Sequence, residues 1–416
     1  MRTAHTVAQV RAAEAPLLAA LPEGGLMQRA VAGLVSHVAR RLGRIYGARV
    51  VVLAGGGDNG GDALWAGARL AARGARVDAL APGSRTHPAG TAALLRAGGR
   101  LHRAGAGGLG EDAVAELMDR ADIVLDGLLG IGGKGALREP YAMLARLAPP
   151  ERTVAVDVPS GVDADTGAVA DPAVRASSTV TFGTYKRGLL IMPGAGHAGQ
   201  VELVDIGLDL PEPDLVALDD ADVAELLPIP GADATKYTRG VLGLVAGSDA
   251  YPGAAVLAVG GALRGGAGYL RVVAEARAAD HVLRAHPEAV VTVIEPGDAD
   301  GMLAAGRVQA WAIGSGLVPD DATRRLLDAL LTRTEVGVVV DAGGLGEVAD
   351  AVAADRDLLR RRPAPVVLTP HEGEFARLTR TALGWDAAET PARLAADRLA
   401  AVREAAAELG AVVLLK

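Results

Sequence analysis

Short, unbroken aliphatic runs recur along this chain, separated by Ala-rich segments, and that alternation constrains the fold more than any other feature. Arg49-Val-Val-Val-Leu-Ala54, Ala75-Arg-Val-Asp-Ala-Leu80, Ile123-Val-Leu125 and Thr153-Val-Ala-Val-Asp157 read as strands, and Trp65 to Arg73 reads as a helix between the first two. A strand apolar on both faces belongs in a parallel sheet covered by helices on each side. The expected fold class is therefore α/β. In such sheets ligands bind outside the C-terminal ends of the strands, so the polar residues that follow each run are the ones to read for chemistry. Aromatic residues make up only 3% of the chain and 55 residues are glycine. The core must be built from Ala, Val and Leu, and binding should rely on backbone and glycine turns more than on aromatic stacking.

A second α/β series begins after a change of composition. Leu208 to Pro230 contains Pro211, Pro213, Pro228 and Pro230 among acidic residues, which marks a linker. Beyond it come Val241-Leu-Gly-Leu-Val-Ala246, Leu270-Arg-Val-Val273, Ala310-Trp-Ala-Ile313, Val336-Gly-Val-Val-Val340, Val366-Val-Leu368 and Ala411-Val-Val-Leu-Leu415. Two domains are expected, 1–215 and 216–416, in keeping with a length of 416 residues. The formal net charge is −8 and no basic run exceeds Arg360-Arg361-Arg362, which argues against a nucleic-acid or anionic-membrane partner. With no cysteine, disulfides, thiolate metal sites and cysteine nucleophiles are excluded. No apolar run approaches the roughly 18 residues of a membrane span. Glu14, Pro16, Pro22 and Glu23 interrupt any signal-peptide core, so a cytoplasmic protein is expected.

Gly55-Gly-Gly-Asp-Asn-Gly60 has the G-x-G-x-x-G spacing after a strand, with Asp78 near the place of a ribose-binding acid. The same spacing recurs at Gly105, Gly130 and Gly194, so it carries little information in so glycine-rich a chain. Asp58 and Asp62 would also repel a pyrophosphate at the helix N-terminus, which argues against an ordinary dinucleotide fingerprint. Asn59, Asp126 and Ser160 stand at three strand ends and offer only oxygen, a donor type that selects hard cations. Equally, Asp58, Asn59 and Asp62 can form an Asx turn and cap the next helix. Asp157, in Asp157-Val-Pro-Ser-Gly161, is either a general acid or base or a turn former. Lys134 either neutralises a substrate phosphate or is a solvated loop lysine. His371 and Glu372 follow a strand; His371 is either a hydrogen-bonding group at a cleft or part of a helix N-terminus.

In combination these strand ends are more specific. Gly55 to Ala63, Asp126 to Gly135, Asp157-Val-Pro-Ser-Gly-Val162 and Thr181-Phe-Gly183, in that order, resemble the NAD(P)H-hydrate epimerase domain, with its Rossmann-like three-layer fold. The resemblance covers roughly residues 1 to 210. It implies potassium at Asn59, Asp126 and Ser160. It also implies that the hydrated nucleotide lies against Asp58, Asn59, Gly60, Gly61, Asp62, the loop Gly130, Ile131, Gly132, Gly133, Lys134, Gly135, Ala136, and Asp157. Asp58 departs from the family's Asn-Asn-Gly-Gly-Asp pattern and Ala63 replaces a usual glycine.

The second half resembles the ADP-dependent NAD(P)H-hydrate dehydratase domain, a ribokinase-like fold. The matching residues are Lys236-Tyr-Thr-Arg-Gly240, Val245 to Ala255, Ala262 to Gly268, His286-Pro-Glu288, Ile313-Gly-Ser-Gly316, Asp341-Ala342 and Leu368 to Phe375. By resemblance, Ala255, Gly316 and His371 contact the hydrate, and the cofactor is ADP or ATP with magnesium. That domain ordinarily continues past the position of Lys416 with a Lys-Gly turn and a Gly-Thr-Gly-Asp helix entry. The expectation is therefore a dehydratase half that is incomplete at its C-terminus and lacks turnover. The implied function is repair of NADH or NADPH that has gained water across C5–C6, by epimerisation at C6 and dehydration of the S form. The substrate is a small molecule, and a homo-oligomer is expected. Two other readings stand beside this one: a ribokinase-like small-molecule kinase with an accessory Rossmann-like domain, and a non-catalytic binding protein.

Overall fold

A computed structural model describes residues 1–416 apart from 228, 236 and 387, so Pro228 of the linker and Lys236 of the Lys236 to Gly240 motif lie outside the described residues. The first unit, Met1–Glu225, holds β1 (Arg2–His5), β2 (Arg49–Ala54), β3 (Arg76–Ala81), β4 (Arg100–Arg103), β5 (Ile123–Gly127), β6 (Thr153–Val156), β7 (Ser178–Phe182), β8 (Tyr185–Lys186), β9 (Gln200–Val204) and β10 (Leu215–Ala217). Seven of these form one parallel sheet in the order β4-β3-β2-β5-β6-β7-β9. Side chains along β2 alternate between two cores. Val50, Val52 and Ala54 pack with helices Gly25–Leu42 and Asp58–Ala71, while Val51 and Leu53 pack with Val114, Met118 and Leu144 on the opposite face. Burial on both faces is why these strands are continuously apolar.

A small second sheet, β10-β1-β8, was not expected from the sequence. β1 pairs antiparallel with β10 and parallel with β8, so Ala4 and His5 lie beside Tyr185 and Lys186. This pairing carries the first unit past residue 215, because Leu215–Ala217 is one of its strands. The helix after the first glycine loop also starts earlier than the sequence suggests, at Asp58 rather than Trp65. Its opening glycines are poor helix formers, but Gly60, Gly61, Ala63 and Leu64 are buried against the sheet, and packing overrides propensity.

The second unit, Leu226–Lys416, holds β11 (Val241–Val245), β12 (Tyr269–Ala274), β13 (Val290–Val293), β14 (Ala310–Ile313), β15 (Gly337–Val340), β16 (Val366–Leu368) and β17 (Val412–Val413). All are parallel, in the order β13-β12-β11-β14-β15-β16-β17. Each unit therefore has one place where successive strands leave in opposite directions along the sheet: between β2 and β5 in the first, and between β11 and β14 in the second. These are the topological switch points at which open α/β sheets bind ligands.

Trp311 illustrates how an aromatic-poor core is filled. It is 2% exposed and sits in register beside Gly243, where a Cβ would overlap its ring. Trp311→Ala should destabilise the second unit by about 3–5 kcal/mol, the usual cost of emptying an aromatic core site. Urea unfolding followed by circular dichroism measures the loss.

Candidate active sites

At the first switch point the chain passes so close to itself that only glycine fits. Gly55 N–H donates to the Gly127 carbonyl at 3.0 Å, and a Cβ on Gly55 would overlap the Leu128 carbonyl oxygen. Gly127 has no Cβ because one would overlap Ala63, so the departure from the family pattern at residue 63 is accommodated here. Gly57 is the helix N-cap and offers no side-chain hydrogen bond. The capping role open to Asp58, Asn59 and Asp62 in sequence is thus not the role they play. Asp58 is exposed on the first turn. Asn59 Nδ2 and Asp62 Oδ1 are buried without a hydrogen-bond partner.

Orphaned buried polar atoms are costly and need an explanation such as an absent ligand. Asp62 is 9% exposed. Burial drives its carboxyl pKa well above the usual range, and the charges of Asp157, Asp58 and Glu14 push the same way, against a smaller opposing effect of Lys186. Asp157 sits directly after β6 in the left-handed region, at φ 68°. A non-glycine residue held there is strained, and such strain collects at functional sites. Its Oδ1 accepts from Lys186 Nζ at 2.5 Å, Thr181 Oγ1 at 3.0 Å and Phe182 N–H at 3.3 Å. Lys186 is 1% exposed and also donates to the Phe182 carbonyl at 2.8 Å. Glu14, from helix Val7–Ala20, completes the group: burial raises its pKa, Lys186 opposes that, and Asp157 adds to it.

Next to this cluster lie the three oxygen donors singled out in the sequence. Asp126 is 0% exposed and accepts from Ser160 Oγ at 2.7 Å, Ser160 N–H at 2.8 Å and Leu128 N–H at 3.2 Å. Burial raises its pKa to about 6 against those three neutral donors. Ser160 Oγ in turn accepts from Leu129 N–H at 2.9 Å. Asn59 packs onto Gly130, 3.1 Å from where a Cβ there would stand. Among the described residues no three His, Asp or Glu side chains converge as a metal cage. A fully buried carboxylate, an amide side chain and a hydroxyl offer oxygen donors, the type that hard cations take. Lys134 is exposed on the loop Gly130 to Ala136 and reaches Asp163 Oδ2 at 3.3 Å. Asp78 is not free for a ribose: Arg100 Nη2 and His102 Nε2 both meet its carboxylate at 2.8 Å.

The second unit repeats the arrangement. Gly247 N–H donates to the Ser315 carbonyl at 2.8 Å, and Ser248 Oγ donates to the Gly316 carbonyl at 2.9 Å, joining the loops after β11 and β14. Gly247 and Gly316 have φ of 76° and 73° and pack on Ala255 and Ala254 respectively. Ala255 and Gly316 therefore meet around Gly247. A cleft of about 250 Å3 opens beside them, lined by Gly247, Ser248, Asp249, Glu275, Leu317 and Asp320 among others. His371 stands two strands along, after β16, and takes the helical role open to it in sequence. It is the N-cap of helix Glu372–Leu383, its Nδ1 accepting from Gly373 N–H at 3.1 Å. Near it, Lys416 Nζ donates to Asp341 Oδ1 at 2.8 Å; burial raises the pKa of Asp341, but this bond and those from Ala342 and Thr369 hold it below the usual range. Ala342, at φ 45°, is the other strained non-glycine residue among those described.

Sequence comparison covers both units. Residues 23–188 match the profile of the YjeF-related protein N-terminus and residues 242–416 that of NAD(P)H-hydrate dehydratase. The bifunctional NAD(P)H-hydrate repair enzyme Nnr of Mycobacterium tuberculosis is 44% identical across 100% of this chain and 81% of its own length. The chain belongs to that family. The Moorella thermoacetica Nnr is 35% identical over 95% of this chain and 76% of its own. Among solved structures, the ADP/ATP-dependent NAD(P)H-hydrate dehydratase from Bacillus subtilis, co-crystallised with ATP and Mg2+, is 32% identical. That match covers 48% of this chain and 65% of the other, with a TM-score of 0.39.

Glu14 and Lys186 were invisible to motif reading. Glu14 lies outside the family-matched segment, and Lys186 is a lone lysine whose burial only the tertiary fold reveals. Lys186→Met should cost about 3–5 kcal/mol, because it leaves Asp157 buried and uncompensated. The double variant Lys186→Met/Asp157→Asn should recover most of that loss in urea unfolding, whereas an additive loss would show the two groups to be uncoupled.

Proposed function

We propose that the chain repairs hydrated NADH and NADPH, its first unit epimerising the hydrate at C6 and its second dehydrating the S form at the expense of ADP or ATP. Family membership supports the two activities, and the observation that carries the epimerase assignment is the buried Asp157–Lys186 pair beside the orphaned Asp62 and Asn59 atoms. C6 of the hydrate bears both a hydroxyl and the ring nitrogen. Breaking C6–O with the nitrogen lone pair moving into a C6=N bond removes the stereocentre, and return of water to the other face inverts it. Departure needs a proton on the leaving oxygen, and return needs a base to take one from water. Asp157, ion-paired with Lys186, is the base in this reading.

Potassium, when bound by Asn59, Asp126 and Ser160, would supply the countercharge that the Asp126 carboxylate lacks and order the Leu128 to Gly130 turn. Two results test these roles. R-to-S exchange of NADPH hydrate, followed by chromatography, should be fast in potassium and slow in a bulky organic-cation buffer; equal rates would remove the metal assignment. Asp157→Asn should lose about 10²–10⁴-fold in exchange rate with little change in nucleotide affinity, the usual scale for an acid–base group. Near-normal turnover would leave Asp157 a turn residue.

In the second unit the reading is phosphoryl transfer from the nucleotide to the C6 hydroxyl, followed by loss of phosphate with the C5 proton to restore the double bond. The cleft beside Gly247, against which Ala255 and Gly316 pack, supports a place for the hydrate. Glu275 accepts from Asp249 N–H at 2.8 Å and Asp320 caps a helix, so these carboxylates already serve the fold. Magnesium would then be held largely by the phosphates it accompanies, as is usual for that ion. A nucleotide metabolite as substrate supports action in the cytoplasm, and the exposed Leu257 and Tyr251 on and beside helix Pro252–Arg264 support a homo-oligomer.

A further inference from the structure

The first site is lined by carboxylates: Asp58, Asp62, Asp157, Glu14 and Asp126. A dinucleotide hydrate carries a pyrophosphate, which such a lining repels. The helix N-terminus at Asp58, where a Rossmann-type site would place that group, is closed to it by Asp58 itself. The anion must therefore lie at an edge of the site where cations are found.

One cation reaches that edge from a segment ahead of the profile match, which begins at residue 23. Helix Val7–Ala20 is fixed at its start. Thr6 and Gln9 form a capping box, Val7 N–H donates to Asp165 Oδ1 at 2.7 Å, and Val7 and Val10 are buried. The strand before it, β1, holds β8 and with it Lys186. Residues three apart on a helix share a face. Glu14 joins the Asp157–Lys186 cluster, and one turn earlier Arg11 extends over the loop Gly130 to Ala136. Its Nη2 lies 3.5 Å from where a Cβ on Gly132 would stand. The Arg11 side chain is exposed and makes no hydrogen bond or ion pair among the described residues; its charge lowers the pKa of Glu14. Lys134, on the same loop, holds Asp163 only loosely at 3.3 Å.

We propose that Arg11 is a substrate-binding residue of the first unit, its guanidinium taking the pyrophosphate of the hydrated nucleotide against the glycine-rich loop Gly130 to Ala136. The assignment rests on the epimerase reading and adds to it the N-terminal helix as one wall of the site. Glycines at 130, 132, 133 and 135 leave the backbone open to close approach by phosphate oxygens, and a guanidinium matches them with two parallel donors. The hydrate is thereby oriented with its anionic middle at the Arg11 edge and its nicotinamide ring toward Asp157.

Arg11→Ala and Arg11→Lys test this in NADPH-hydrate exchange, with inorganic pyrophosphate as a competitive inhibitor and ADP-ribose binding measured by calorimetry. Arg11→Ala should raise KM about tenfold, weaken pyrophosphate inhibition and ADP-ribose binding by a similar factor, and leave kcat within about twofold. Arg11→Lys should recover part of the affinity. Unchanged KM, inhibition and ADP-ribose affinity in Arg11→Ala would overturn the proposal. So would a fall in kcat alone, which would mark a role in helix packing instead. A wild-type chain that binds ADP-ribose through Arg11 but does not exchange the hydrate would overturn the epimerase reading and leave the anion site standing.

Discussion

Both halves of the molecule depend on the same constraint, two loops leaving adjacent parallel strands in opposite directions while their backbones stay in hydrogen-bond contact. In the first unit that contact is Gly55 to Gly127, and in the second Gly247 to Ser315. A side chain at Gly55 or Gly247 would meet the facing backbone or a neighbouring Cβ, and the crevice beside each pair would not form. Several groups of each site hang from these crossings. Asn59 and Asp62 ride on the helix that follows Gly55, Asp126 ends the partner strand, and Ala255 lies under Gly247. The abundance of glycine is thus a requirement of close backbone approach rather than of flexibility.

Electrostatics separates the first site into two regions. Its interior gathers carboxylates around one buried lysine: burial raises the pKa of Asp62 and Glu14, while Asp157 keeps an ion pair with Lys186. Environments that differ so sharply over a short distance allow one fold to offer both an acid and a base. The outer edge carries Arg11 and Lys134, both long and exposed, which suits a charged group that arrives from solvent and leaves again. The two charge regions are kept apart because either charge, placed in the other's region, would neutralise it.

Motif reading found the strand-end residues of the first site and could not rank them. Asn59, Asp126, Asp157 and Ser160 all lie near the C-terminal ends of β2, β5 and β6, which strand order brings together. Asp78 has the spacing of a ribose ligand, yet pairing of β3 with β4 sets Arg100 and His102 against it. His371 follows a strand in the same way, but the helix behind it draws the imidazole into capping. Local spacing is silent on which partner a polar side chain will find when several are within reach.

The sequence alone determined the parallel α/β class, the presence of two such units and the polar residues near their strand ends, because aliphatic runs and glycine turns are local and survive any arrangement of the rest. Tertiary structure decided the remainder. The pairing of β1 with β8 joins residues some 180 positions apart and brings Lys186, Glu14 and Arg11 to one site. Nothing in a window of sequence distinguishes a buried lysine from a solvated one. The difference is the surrounding low-dielectric packing and a facing carboxylate, and both exist only once distant strands have met.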